Sequence, residues 1–294
     1  MKKINFTKIV ASGNDFVVVD SLSRYLVISL KKLAQEICDR KFGVGADGLL
    51  FLEKTKVADV KMRIFNPDGS EAEMCGNGAR CVAFYLGSRF KVSATRRGGP
   101  ANFLGGQGSR LKIETKAGII NSEFKGENIK IKLTDPKGIK LDIPIKIDSR
   151  LLKVNFINTG VPHTVIFVEG LDKIDVANLG RQIRYHHKFK PAGTNVDFVE
   201  VLTDDSIKIR TYERGVEDET LACGTGSVAS ALIFVARLPL PAGQAGVCPF
   251  ARQIDIITKS GEILKVYFER LGNNFRNVWL EGKARIVYKG VYHV

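Results

Sequence analysis

Two cysteines of this chain stand in closely similar settings. Cys75 begins Cys75-Gly76-Asn77-Gly78, Cys223 begins Cys223-Gly224-Thr225-Gly226, and an apolar stretch follows each motif. A thiol at a helix N-terminus lies beside unpaired N–H groups and the positive end of the helix dipole, and both favour the thiolate. The glycines leave those N–H groups uncovered, so a carboxylate can bind there. One such motif alone is equally typical of a structural buried cysteine.

A pair of such thiols suits inversion at a carbon next to a carboxylate. Inversion needs a base on one face of the carbon and an acid on the other, and the two roles exchange in the reverse direction. Two helix N-termini would stabilise the negative charge that develops on the carboxylate. The pair therefore predicts a racemase or epimerase that needs no cofactor and no pyridoxal phosphate lysine.

The two motifs belong to a longer internal repeat. Gly13 and Gly160, Phe42 and Phe189, and Arg63 and Arg210 are each 147 residues apart, and the two cysteines are 148 apart. A repeat of this length indicates two similar domains and not a solenoid of short units. A crevice between two such domains is a natural ligand site.

The elements that must position the thiols are many short strands and a few helices. Helices are predicted over 29–39, 77–86 and 225–235, the last two directly after the cysteine motifs. This pattern predicts an α+β fold of two pseudo-symmetric domains, each a barrel-like, mostly antiparallel sheet around a central helix. The first domain is expected to span 1–117 plus 279–294, and the second 118–278. Segments 93–110 and 237–252, rich in Gly, Pro and Arg, are predicted loop insertions.

Composition narrows the class of protein. The 294 residues are 44% hydrophobic and 26% charged, as expected for a globular protein with a real core. No apolar run is long enough for a membrane span, and the N-terminus resembles a strand more than a signal peptide, so a cytoplasmic location is expected. Five cysteines without C-x-x-C spacing, and four histidines, argue against a disulfide framework and a metal site. A homodimer is compatible with the sequence.

The motifs together closely resemble those of the diaminopimelate epimerase family. They are spread in order along most of the chain outside the two insertions: Gly13-Asn14-Asp15-Phe16, Gly43-Val44-Gly45-Ala46-Asp47-Gly48, Phe65-Asn66-Pro67-Asp68-Gly69-Ser70, Met74-Cys75-Gly76-Asn77-Gly78-Ala79-Arg80-Cys81, Gly160-Val161-Pro162-His163, Asn195, Tyr212-Glu213-Arg214-Gly215 and Ala222-Cys223-Gly224-Thr225-Gly226.

This resemblance implies interconversion of LL- and meso-2,6-diaminopimelate, in lysine and peptidoglycan precursor biosynthesis, by an isomerase without a cofactor. By the family's pattern, Cys75 and Cys223 are the acid/base pair, with Glu213 and His163 beside the reacting centre. Substrate contacts are implied for Asn14, Asn66, Gly76, Asn77, Asn195, Glu213, Arg214, Gly224 and Thr225. The sequence departs from the pattern at Val161, where some members carry an asparagine that contacts substrate.

Other interpretations remain open at this stage. The asparagines stand in turn-like contexts where Asn is common for backbone reasons, and His163 after a proline also fits a structural histidine. A proline or hydroxyproline racemase would have no distal charged group for Arg214 to bind. A net charge of +14 would fit a nucleic-acid-binding protein, but the positive residues are spread along the chain, so no nucleic-acid partner is expected.

Overall fold

The chain folds into two compact units in a computed structural model that describes residues 3–22, 28–94, 109–239, 248–272 and 274–294. The first unit contains residues 1–131 and 282–294, and the second contains 132–281. From the sequence, the boundary between the two domains is expected between residues 117 and 118. It falls later because strands 118–125 and 128–132 continue the sheet of the first unit.

Within its described residues, the first unit holds two helices and nine strands. The helices are α1 (Leu30–Ile37) and α2 (Gly76–Ala94). The strands are β1 (Lys3–Ala11), β2 (Asn14–Asp20), β3 (Gly48–Glu53), β4 (Val60–Phe65), β5 (Glu71–Ala72), β6 (Ser109–Thr115), β7 (Gly118–Lys125), β8 (Asn128–Lys132) and β18 (Arg285–His293). The strands pair in the order β18-β1-β2-β3-β4-β6-β7-β8, with β5 also on β4. The β2–β3 and β4–β6 pairs are parallel and the others antiparallel.

The second unit repeats this plan. Its helices are α3 (Val176–Arg184) and α4 (Gly224–Arg237), with short 3₁₀ turns at Leu171–Lys173 and His187–Phe189. Its strands are β9 (Lys137–Ile147), β10 (Arg150–Asn158), β11 (Pro162–Phe167), β12 (Asn195–Thr203), β13 (Ser206–Glu213), β14 (Asp218–Thr220), β15 (Cys248–Ile257), β16 (Ile263–Leu271) and β17 (Asn274–Lys283). The order is β9-β10-β11-β12-β13-β15-β16-β17, with β14 on β13. The β11–β12 and β13–β15 pairs are parallel.

The register of the strands makes the repeat exact at the site. Phe16 pairs with Gly48 and, 147 residues later, His163 pairs with Asn195. Leu50 pairs with Ile64, and Asp197 pairs with Thr211 at the same offset. The two units therefore place corresponding residues at corresponding points of the sheet, which confirms the predicted pseudo-symmetry.

Each unit is built around its long helix. The segment from Gly226 to Val235 of α4 is buried on every side, as expected for a helix with no polar face. Strands β9, β10, β11, β12, β13, β15 and β16 all contact α4, while β1, β2, β4, β6, β7 and β18 contact α2. The mixed sheet thus surrounds the helix, although in the described strands its first and last members do not pair to close a barrel.

The helix predictions are confirmed, with one omission. Helix α1 begins after Ser29, whose Oγ accepts from the Lys32 N–H, as the capping pattern predicts. Helices α2 and α4 begin directly after the two cysteines and extend further than expected. Helix α3 was not predicted, although Asp175 caps it and Val176 and Ile183 form its buried face. Most of the two predicted insertions, 95–108 and 240–247, lies outside the described residues, and 248–252 belongs to β15.

Candidate active site

Both cysteines cap the helices that follow them. The Sγ of Cys75 accepts from the Gly78 N–H at 3.3 Å, and the Sγ of Cys223 accepts from the Gly226 N–H at 3.4 Å. A hydrogen bond from a backbone N–H favours the charged form of the sulfur. The first N–H groups of a helix have no partner inside it, so those of Gly76, Asn77, Gly224 and Thr225 remain as anion donors.

In the first unit, a chain of side chains holds the start of α2. The Asn77 amide donates to Asn14 Oδ1, and Asn14 Nδ2 donates to Asp47 at 3.1 Å. The fully buried Arg80 donates to Asn77 Oδ1, and also to Ser12 Oγ at 2.7 Å. These bonds bring Asn14 and Asn77 together beside Cys75 and leave part of each amide for a ligand.

A charged cluster fixes the start of β2, which carries Asn14. Lys8 Nζ lies 2.7 Å from Asp15 Oδ2, and Arg40 donates to both Asp15 and Asp47. Burial opposes ionisation of Asp15, but hydrogen bonds from Arg40 and Lys8 outweigh it and hold the pKa of Asp15 well below its usual value. Asp15 is therefore ionised at neutral pH, and the hydrogen bond from Arg40 holds Asp47 beside Asn14.

In the second unit, β11, β12 and β13 place polar groups beneath the start of α4. His163 Nδ1 lies 2.7 Å from Asp197 Oδ2, and His163 Nε2 lies 3.0 Å from Thr225 Oγ1. Both His163 and Asp197 are fully buried. Asp197 was not predicted as a site residue. The signal was present as an acidic residue inside the apolar strand Asn195-Val196-Asp197-Phe198-Val199.

Cys223 and Glu213 both lie in a low-dielectric environment. Burial, and then the negative charges of Glu213 and Asp197, raise the pKa of Cys223 well above its usual value. The helix end was expected to lower the pKa of this thiol, but desolvation outweighs the hydrogen bonds to the sulfur. Burial likewise raises the pKa of Glu213, against the effects of the Thr220 hydroxyl and of His163. The second unit therefore brings Cys223, Thr225, His163 and Glu213 together.

The remaining expected contacts lie at strand ends. Asn195 connects two turns, since its Oδ1 accepts from the Arg214 N–H at 2.8 Å and its Nδ2 donates to the Pro162 carbonyl at 3.0 Å. Arg214 is half-buried, and its guanidinium reaches the Ala192 carbonyl at 3.4 Å.

Asn66 and Val161 occupy turns. Asn66 is exposed in the turn after β4, where its Nδ2 donates to Ser70 at 3.0 Å. Val161 lies in the turn before β11, and its carbonyl accepts from the Thr159 N–H at 3.1 Å. A backbone group at position 161 is thus engaged in the turn itself.

Two global features bear on the site. Within the described part of the chain, no cluster of three His, Cys, Asp or Glu side chains could hold a metal ion. None of the described helices combines the length and apolar character that a bilayer span requires.

Comparisons with known proteins agree on the family. The family model of diaminopimelate epimerase matches residues 6–138 and 155–263. The chain is 41% identical to the diaminopimelate epimerase of Archaeoglobus fulgidus, over 98% of this chain and 96% of that protein. It is 38% identical to the diaminopimelate epimerase of Aquifex aeolicus, over 98% of this chain and 97% of that protein.

Solved structures resemble the fold at lower identity. A phenazine biosynthesis protein of the PhzF family from Bacillus anthracis aligns with a TM-score of 0.72 at 19% identity, over 100% of both chains. A hydroxyproline epimerase from Agrobacterium vitis aligns with a TM-score of 0.64 at 14% identity, over 98% of this chain and 92% of that chain. With two similar mixed-sheet units, two helix-capping cysteines and this likeness in sequence, the chain belongs to the diaminopimelate epimerase family.

Proposed function

We propose that the protein interconverts LL- and meso-2,6-diaminopimelate, with Cys75 and Cys223 acting on opposite faces of one α-carbon. The observation that carries the proposal is the duplicated site, in which a cysteine sulfur accepts from the third N–H of its helix in each unit. Relatives at 38% and 41% identity over nearly the whole chain are diaminopimelate epimerases. A cytoplasmic location and a homodimer stay predictions.

The proposed reaction is a transfer of one proton at each face. The thiolate of one cysteine takes the α-proton, and the electron pair of the broken C–H bond moves into the α-carboxylate. The other cysteine then gives its thiol proton to the opposite face of the same carbon. One thiolate and one thiol remain, in exchanged positions, so the enzyme is ready for the reverse reaction.

The main contribution to the energy barrier of the reaction is the negative charge that develops on the α-carboxylate. The N–H groups of Gly76 and Asn77, and those of Gly224 and Thr225, are the proposed donors to it. A single well-placed donor of this kind contributes about 3–4 kcal/mol to a transition state. Glu213 is the proposed partner of the ammonium group at the reacting carbon, with His163 beside it.

The other end of the substrate carries a second carboxylate and a second ammonium group. Arg214 is the proposed ligand of that carboxylate, since a guanidinium binds a carboxylate through two parallel hydrogen bonds. Asn14, Asn66 and Asn195 are the proposed additional contacts. This second charged end separates the proposed substrate from proline and hydroxyproline.

The test is incubation of the protein with LL-diaminopimelate in deuterated water. We expect meso product with one deuterium at the inverted α-carbon. Cys75→Ala and Cys223→Ala should each lower the rate by about 10²–10⁴-fold or more, which is the usual contribution of a general acid or base. Cys38→Ala is the matched control, because Cys38 is a buried thiol at the end of α1. This variant should retain activity.

Three results would refute the proposal. Absence of solvent deuterium in the product would exclude proton exchange by two bases. Preferential turnover of L-proline or trans-4-hydroxy-L-proline would move the chain to another substrate class. Salt-sensitive RNA binding without any isomerisation would point to a binding protein that uses its net positive charge.

A further inference from the structure

A continuous hydrogen-bonded chain leads from Cys223 into the core of the second unit. Cys223 Sγ lies 3.4 Å from Thr225 Oγ1, which lies 3.0 Å from His163 Nε2. His163 Nδ1 lies 2.7 Å from Asp197 Oδ2. Thr211 completes the chain by donating to Asp197 Oδ1 at 2.8 Å.

The hydrogen bonds that connect these side chains run in one direction, which Asp197 sets. An ionised Asp197 accepts hydrogen bonds only, so it holds the imidazole of His163 in the tautomer that carries a proton on Nδ1. In the neutral imidazole Nε2 is then an acceptor, and the Thr225 hydroxyl donates a hydrogen bond to it. The Thr225 oxygen then has lone pairs that can accept from the S–H group of Cys223.

We propose that Asp197 is a positioning residue, and that through His163 and Thr225 it completes a relay that takes up and returns the proton of Cys223. In the forward step the S–H bond breaks, the Thr225 oxygen receives that proton, and Thr225 passes its own hydroxyl proton to His163 Nε2. A neutral thiol and a neutral imidazole thereby become a thiolate and an imidazolium, whose charge Asp197 balances. The relay deepens the proposed function and rests on it.

The first unit shows that the fold does not require these polar groups. At the equivalent points of its sheet stand Phe16, Leu50 and Ile64, where the second unit has His163, Asp197 and Thr211. Burying a carboxylate costs free energy that a leucine at the same place does not. His163, Asp197 and Thr211 are therefore not required for the packing of the second unit, and we assign them to the environment of Cys223.

The start of α4 is also shaped around the carboxylate. A Cβ atom on Gly226 would clash with Asp197 Oδ1 and would lie 3.2 Å from its Cγ. At the equivalent Gly78 the nearest neighbour is instead the methyl Cδ2 of Leu50, at 3.1 Å. Glycine at 226 allows the helix end, with Thr225 and Cys223, to approach Asp197 closely enough for the chain to connect.

The titratable groups that face Cys223 are Glu213 from β13, Asp197 from β12 and His163 from β11. As a bare negative charge, Asp197 opposes ionisation of the thiol, so its neutralisation should make Cys223 more reactive. As the end of the relay, Asp197 promotes ionisation, so its neutralisation should make Cys223 less reactive. The two roles predict effects of opposite sign.

The experiment measures alkylation of Cys223 by iodoacetamide over a neutral to alkaline pH series, quantified on the Cys223 peptide by mass spectrometry. The full-length chain carries Cys75→Ala, so that only one site thiol reacts. Asp197→Asn should slow alkylation at neutral pH by about 10-fold and move its pH profile up by about one unit, because a tenfold change corresponds to one pKa unit. Faster or unchanged alkylation would overturn the relay.

A second pair of variants covers the case in which the buried Asp197→Asn variant does not fold. Thr225→Val removes the hydroxyl at nearly constant volume, and Thr225→Ser keeps it. We expect Thr225→Val to slow alkylation at neutral pH as Asp197→Asn does, and Thr225→Ser to restore the wild-type profile. Equal profiles for Val and Ser would refute a role for the hydroxyl.

The two proposals fail separately. Alkylation requires no diaminopimelate, so an inactive wild-type protein would refute the proposed function while the relay is still measured. An active wild-type protein whose Asp197→Asn variant keeps both its alkylation profile and its kcat would refute the relay alone.

Discussion

The two equivalent helix starts allow a matched comparison, Gly226→Ala against Gly78→Ala. Both glycines are the third residue of a helix that a cysteine caps, and both have ordinary helical φ angles. Alanine in place of a helical glycine stabilises by about 0.5–1 kcal/mol where there is space for it. The two sites differ only in what the new methyl group meets.

At Gly226 the methyl group would clash with a fixed group. The Asp197 carboxylate is held by His163 at 2.7 Å and Thr211 at 2.8 Å, so it can move only by losing one of these bonds. A hydrogen bond to a charged group contributes about 1.5–3 kcal/mol. After the gain in helix propensity, we expect Gly226→Ala to lower the free energy of unfolding by about 0.5–2.5 kcal/mol.

At Gly78 the methyl group would meet an adjustable group. Leu50 Cδ2 at 3.1 Å must move by a few tenths of an ångström, and a strained rotamer costs about 0.5–1.5 kcal/mol. This cost nearly cancels the gain in propensity, so Gly78→Ala should change the free energy of unfolding little.

The assay is urea unfolding of both variants, followed by circular dichroism and by the fluorescence of Trp279, the single tryptophan, which lies in the second unit. Gly226→Ala should be less stable than Gly78→Ala by about 0.5–2.5 kcal/mol. If Gly226→Ala were as stable as Gly78→Ala, the Asp197 carboxylate would not be held rigidly against Gly226.

Two further predictions concern the cluster beneath Asn14 and the central helix. The pKa of Asp15 is lower in the folded than in the unfolded protein, so its ion pairs stabilise the protein above about pH 4 and are lost as the pH falls further. The difference in unfolding free energy between wild type and Arg40→Gln should therefore shrink on acidification. A difference that is independent of pH would contradict this. Leu232→Ala, at a fully buried position of α4, should cost about 2–5 kcal/mol in urea unfolding, whereas Leu221→Ala, half exposed, should cost under about 0.5 kcal/mol; similar costs would be inconsistent with the burial of α4.

Local chemistry explains what could be predicted from the sequence. The Cys-Gly-x-Gly motifs before apolar stretches place a thiol at a helix start in any fold, because the cap and the glycines act within one turn. Both helices begin there. Helix α1 likewise follows from its serine cap. Helix α3 was not predicted, although Asp175 caps it, because Gly180 interrupts its apolar pattern. Only the folded protein shows that Gly180 packs closely on Tyr212.

The sequence by itself determined the duplication, the two helix-capping thiols and the family. Only the tertiary structure decided the environment of each thiol. Asp197 and His163 are 34 residues apart in the chain, and their contact depends on the parallel register of β11 and β12. No local sequence pattern specifies that register. The pKa of Cys223 likewise depends on desolvation by the strands around it, so that burial reverses the effect of the helix end that its motif predicts.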